Sequence, residues 1–141
     1  MRALFFLLFL SSPVAAWEFS ATPICQVTHQ ARYVSIDMTY DHRTGLYALS
    51  LTREAPWPAD PIFSIHFDGP MKLTISTDRQ VLSEDGLTLT AADTGFGNVL
   101  NGLEFNQFAT PQLGSVTTPF GLSGSAPSIQ AFRACTEGAI S

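Results

Sequence analysis

From Pro61 to Phe105 the chain alternates apolar and polar residues, with turn chemistry at each interruption, and this pattern narrows the fold more than any other feature. Phe63, Ile65 and Phe67 alternate with Ser64, His66 and Asp68, the period-two signature of a strand with one buried face. Asp68-Gly69-Pro70 stops it. Met71, Leu73 and Ile75 then alternate with Lys72, Thr74 and Ser76, so a second strand with one apolar face can fold back on the first. Thr77-Asp78-Arg79-Gln80 is the next turn. Val81-Leu82-Ser83 leads into Glu84-Asp85-Gly86, and an Asp-Gly pair followed by Leu87, Leu89 and Ala91 is a strong hairpin signal. Four antiparallel strands in succession are the simplest arrangement, and the apolar face of such a meander needs cover from the rest of the chain. The expected fold is all-β: an antiparallel β-sandwich or flattened barrel with a short C-terminal helix. Its expected core holds Phe63, Ile65, Phe67, Leu73, Ile75, Leu89, Phe120 and Phe132.

Before this stretch, Met1-Arg2 is a short positive start and Ala3 to Leu10 is apolar throughout, too short to span a bilayer as a stable helix. Ser11-Ser12-Pro13 breaks it, and Val14 and Ala16 stand three and one residues before a signal-peptidase cut. Residues 1–16 therefore read as an export signal; the alternative is a buried strand or a membrane anchor. Residues 17–141 suit one exported β-domain, periplasmic or secreted, with no further apolar run long enough to hold it in a membrane. Twelve Asp and Glu against seven Lys and Arg give a net charge of −5, which disfavours a nucleic-acid partner, since affinity for phosphate backbones rests on clustered cations. Low charge density and eleven Phe argue equally against disorder.

Cys25 and Cys135 are the two cysteines, and an oxidising compartment favours their pairing as a structural disulfide. Val27, Val34, Ile36 and Met38 give a strand signal interrupted at His29-Gln30-Ala31, read as a bulge. Asp41 to Gly45 is a polar turn, and Tyr47, Leu49 and Leu51 mark the returning strand. Ala55-Pro56-Trp57-Pro58-Ala59-Asp60-Pro61 lacks three amide donors and should run over the surface. Held between prolines in that loop, Trp57 is the candidate binding residue, as rigid aromatics at loop tips are common contacts; a tryptophan there can also fold back to cap an open sandwich end.

Beyond Ala91, Asp93-Thr94-Gly95-Phe96-Gly97-Asn98 is a loop, and Val99, Leu100, Leu103 and Phe108 approach a helical period that Gly102 weakens to a single irregular turn. Pro111 to Gly114 is a loop, and Val116 to Ser123 a last strand. Ser125 is a plausible N-cap for a helix with Pro127 in its first turn and Ile129, Phe132 and Cys135 on one face. That face should close the sandwich and deliver Cys135 to Cys25.

Candidate chemistry is sparse. His66 and Asp68 share a strand face, and His29 or His42 would complete a metal set if the fold brought either near. Gly121-Leu122-Ser123-Gly124 lacks the second spacer of a serine elbow and sits where a helix cap is wanted. Glu84-Asp85 occupies a hairpin tip, where solvation keeps both carboxylates ionised. Gly95-Phe96-Gly97 has Leu100 at the third glycine of a dinucleotide loop, and tight packing is the expected reason for its glycines. No motif calls for a cofactor.

Phe120-Gly121-Leu122-Ser123-Gly124, then Ala126, Ile129, Phe132 and Cys135, with the Phe63 to Pro70 strand and the Gly95-Phe96-Gly97 loop, resembles small exported proteobacterial proteins, distantly the invasion-associated locus B group. The resemblance implies an envelope-exported β-domain and carries over no catalytic residue. The function expected is non-catalytic binding of an envelope protein, glycan or small molecule; the alternative is a small envelope hydrolase built around His66 and Asp68.

Overall fold

In the computed structural model, which describes residues 16–138, the alternation at Phe63, Ile65 and Phe67 forms a strand with those three side chains buried. The export-signal reading of residues 1–16 falls, Ala16 aside, outside the described residues. The chain runs β1 (Glu18–Ser20), β2 (Cys25–Gln30), β3 (Val34–Asp41), β4 (Leu46–Arg53), β5 (Phe63–Asp68), β6 (Leu73–Thr77), β7 (Val81–Leu82), β8 (Thr88–Asp93), α1 (Gly97–Phe105), β9 (Phe108–Leu113), β10 (Val116–Thr117), β11 (Phe120–Gly121) and α2 (Ala126–Thr136). Every pairing is antiparallel. One sheet has the order β1-β2-β3-β4-β8-β7; the other has β10-β9-β5-β6, with β11 also on β9. The result is a sandwich, not a closed barrel.

Register explains the core. Across the first sheet Val27 faces Met38, Met38 faces Leu49, Ile36 faces Leu51, and Leu51 faces Leu89, so one inner face collects fully buried aliphatics. Across the second, Ile65 lies between Ile75 and Pro111, and Phe63 between Thr77 and Leu113. Of the expected core, Phe63, Ile65, Phe67, Leu89, Phe120 and Phe132 are buried, while Leu73 and Ile75 are half-buried on the edge strand β6. Ile129, Phe132 and Cys135 point α2 inward, and Cys25 and Cys135 form the disulfide.

The meander is the largest correction. β5 and β6 are a hairpin of one sheet, but β7 and β8 belong to the other, so Thr77–Gln80 is a crossover between layers. Gln80 secures it by donating through Nε2 to the carbonyls of Asp60 and Pro61 at 3.1 and 3.2 Å. Splitting the strands lets each hairpin's apolar face cover the other's, which one four-stranded layer does not achieve alone. The interruption expected at His29-Gln30-Ala31 is not a bulge: His29 and Gln30 end β2, and a turn over residues 31–33, closed by Ala31 N–H on the Val34 carbonyl at 3.0 Å, makes two strands of the supposed one.

Pro111 lies inside β9 and is not in a loop. Its carbonyl accepts from Thr118 N–H at 3.1 Å, on the side where β10 and β11 break, so its missing amide faces that gap and costs no bond to β5. The expected last strand is correspondingly two short pieces. Ser125 is the N-cap residue of α2, but its hydroxyl makes no cap bond there; it donates instead to the Leu103 carbonyl at 2.6 Å, tying α2 to the end of α1.

α1 is a nine-residue helix, longer than a single turn, and Gly102 is what lets it dock. A Cβ at Gly102 would lie 2.5 Å from the buried Phe67 ring. Gly102→Ala is therefore expected to destabilise by about 1–3 kcal/mol through overpacking, although alanine in a free helix is favoured by about 1 kcal/mol. A denaturant midpoint at or above the parent's would remove Gly102 from that role.

Candidate functional site

The sandwich is unevenly closed, and its open side is the candidate site. α2 and the disulfide cover the β1–β2 side. On the other, β6 ends its sheet, and β7, only two residues long, pairs with Thr90 and Leu89 alone. Among the described residues no strand pairs with the outer edge of β6 or continues β7 along Ala91–Asp93. Between these edges lies a cleft of about 460 Å³. Leu49, Phe63, Ile65 and Phe96 form its apolar floor, Ile75–Thr77 and Ala91–Asp93 its rims, and Gly95–Val99 one end. That volume is in the range of small-ligand sites, and an apolar floor with a few polar groups at the rim is their usual composition.

Each wall has a local cause. Ala91 stands opposite Leu49 on the inner face, and its small side chain leaves room where Leu89, two residues earlier, fills the core. Phe96 folds back as the residue before α1, its ring stacked on Tyr47 with centroids 5.2 Å apart. Gly95 and Gly97 do not answer tight packing as expected, since a Cβ at either would meet nothing within 4 Å. They leave that end of the cleft lined by backbone. Asp93 is the one ionisable side chain lining it among the described residues, and its Oδ1 accepts from Thr94 N–H at 2.7 Å. A second hollow, of about 510 Å³, lies beside Tyr33, Arg53, Glu54 and Thr118.

The expected contact role of Trp57 loses its premise, because the indole is 4 % exposed. Its Nε1–H donates to the Leu51 carbonyl at 3.1 Å, its ring meets Phe63 edge-on, and the Arg53 guanidinium lies 5.0 Å over it. The proline segment crosses the surface as expected but turns this one side chain inward, because Trp57 N–H is anchored on the Gly86 carbonyl at 2.8 Å. The indole caps the sandwich end.

The histidines are not brought together. His66 pairs with Thr74 Oγ1 at 2.9 Å and Gln112 Oε1 at 3.3 Å on the outer face of the second sheet, beside a Ser64–Ser76 hydroxyl pair. Asp68 lies 3.8 Å from Lys72. His29 stacks on Trp17 with centroids 4.2 Å apart, and His42 meets Tyr40 edge-on. Among the described residues no three His, Cys, Asp or Glu side chains group to hold a metal. Asp85 is a turn residue: the Ser83 hydroxyl at 2.6 Å and the Leu87 amide hold its carboxyl below its ordinary pKa.

Burial pushes the His29 pKa down. The unfolded chain then binds more protons below the ordinary histidine value of about 6.5, so this contribution to stability is complete above that pH and is lost as pH falls toward the folded value. His29→Gln is expected to flatten the fall of the denaturant midpoint between about pH 7.5 and 5.5; an unchanged slope would assign it to other groups.

Asn106, which nothing in the sequence pattern singles out, joins two elements. Its side chain accepts from Met71 N–H at 3.0 Å and donates to the Gly102 carbonyl at 3.1 Å, pinning the β5–β6 turn to the end of α1. Among the described residues no helix is long and apolar enough to cross a membrane. Compared with protein-family models, curated proteins and solved structures, the chain matches none.

Proposed function

We propose that the protein is a non-catalytic, exported envelope domain that binds its ligand in the cleft between β6 and β8. One observation carries this reading: a hollow of about 460 Å³ whose floor is made of apolar core side chains and whose lining holds a single carboxylate. An apolar floor with polar groups at its rim favours binding, whereas general acid–base work needs paired groups of tuned pKa around a reacting atom. The distant resemblance to exported envelope proteins and the disulfide fit the same compartment.

The test is to record amide spectra of the protein as peptidoglycan fragments and envelope small-molecule extracts are added. Shifts are expected to concentrate at Ile75–Thr77 and Ala91–Phe96. Ala91→Phe, which fills the cleft from the inner face, is expected to abolish them while leaving the melting curve cooperative. Shifts confined to other surfaces, or undiminished in Ala91→Phe, would refute the assignment.

A further inference from the structure

We infer that the ligand of this cleft is an extended peptide segment, bound by strand addition between β6 and β8; this rests on the cleft being the binding site. Strand edges present a row of N–H and C=O groups that a peptide backbone can satisfy, and here two such edges, Ile75–Thr77 and Ala91–Asp93, flank one hollow. General sheet spacings admit a single strand there. Face-packed sheets lie about 10 Å apart and paired strands about 4.8 Å apart, so one strand set between the edges of two facing sheets is within pairing distance of both. An acyl chain filling the same volume would leave both rows of backbone groups to water.

The dimensions also fix what kind of peptide. Three residues on each rim correspond to roughly 10 Å of extended chain, so about three ligand residues are ordered. Alternate side chains of an added strand point to opposite faces, so an apolar one descends onto Leu49, Ile65 and Phe96 while its neighbours face solvent. Asp93, the only charged group lining the cleft among the described residues, selects a lysine or arginine at that end of the peptide. The occupant is thus a short extended segment of alternating apolar and polar residues with a cationic flank.

The probe is a pool of end-blocked pentapeptides with Val, Ile or Leu at the second and fourth places and Lys or Thr elsewhere. It is compared with the same pool N-methylated along the backbone and with decanoate. The expected result is slowed amide exchange at Thr74–Thr77 and at Ala91–Asp93 with the unmodified pool, at least about tenfold weaker binding after N-methylation, and loss of binding in Ala91→Phe. Asp93→Asn should weaken the Lys-flanked members more than the Thr-flanked ones. Equal binding of both pools, or cleft shifts with decanoate alone, would overturn strand addition and leave the cleft as the binding site. No cleft shifts with any probe would overturn both. Protection of β6 alone in a concentration-dependent dimer would assign that edge to a second copy of the chain and overturn the inference.

Discussion

Trp57→Ala is expected to destabilise the protein by about 3–5 kcal/mol, the usual cost of emptying a large aromatic site. For a chain of this size that corresponds to a fall in Tm on the order of 10–20 °C. Four interactions go together in this change: the edge-on contact with Phe63, the Arg53 guanidinium over the ring, the cover over the sandwich end, and the Nε1–H bond to the Leu51 carbonyl. Trp57→Phe separates them. It keeps most of the ring but leaves that carbonyl without its donor, and is expected to cost about 1–3 kcal/mol. A Tm for Trp57→Ala within a few degrees of the parent would return the indole to the surface and revive its role as a contact residue.

The same residue shows where sequence reasoning is strong and where it stops. Alternation reads which face of a strand is buried, because side chains on a pleat must alternate; Phe63, Ile65, Phe67 and Leu89 follow from that alone. Spacing on a helix reads Ile129, Phe132 and Cys135 for the same reason. Neither period says which sheet a strand joins. Thr77–Gln80 has the composition of a hairpin turn and serves as a crossover, the difference lying in Gln80 reaching the backbone of residues 60 and 61. Pro111 reads as a breaker, and only its neighbours on both sides reveal a position where no amide is needed. Trp57 in a proline-rich loop is ambiguous in isolation, because its burial depends on a backbone bond to Gly86, far along the chain.

The candidate site lay beyond sequence reasoning for a related reason. Its floor residues are core residues by pattern, and its rims are ordinary strand positions. They become a site through where β7 ends and which strands are outermost, and both are properties of topology. One signal was present. The alternation of β8 weakens from Leu89 to Ala91 on the inner face, a small residue where packing would favour a large one.

Removing the disulfide is the other change of large expected effect. Cys25 opens β2, Cys135 lies in the last turn of α2, and their Cα atoms are 5.9 Å apart at a sequence separation of 110. In the chain-entropy model a loop of that length restricts the unfolded state by roughly 4–5 kcal/mol, and Cys135→Ser is expected to lose about 2–5 kcal/mol. Both cysteines are buried, so the serine hydroxyl would add a desolvation cost that belongs to the substitution and not to the lost bond. The double variant Cys25→Ala with Cys135→Ala avoids that cost, and its loss relative to the parent measures the cross-link more directly. α2 retains other attachments in either variant: Ile129 and Phe132 in the core, and Arg133 Nε on Glu104 Oε1 at 2.8 Å. The expected outcome is therefore a protein that still folds at low temperature, with β2 and α2, which the cross-link joins, and β1, which pairs with β2, exchanging amide protons first. Titration with a thiol reagent under denaturing, non-reducing conditions is expected to find no free thiol in the parent; two per chain would show that the chain is not closed end to end, and α2 would then rest on packing alone.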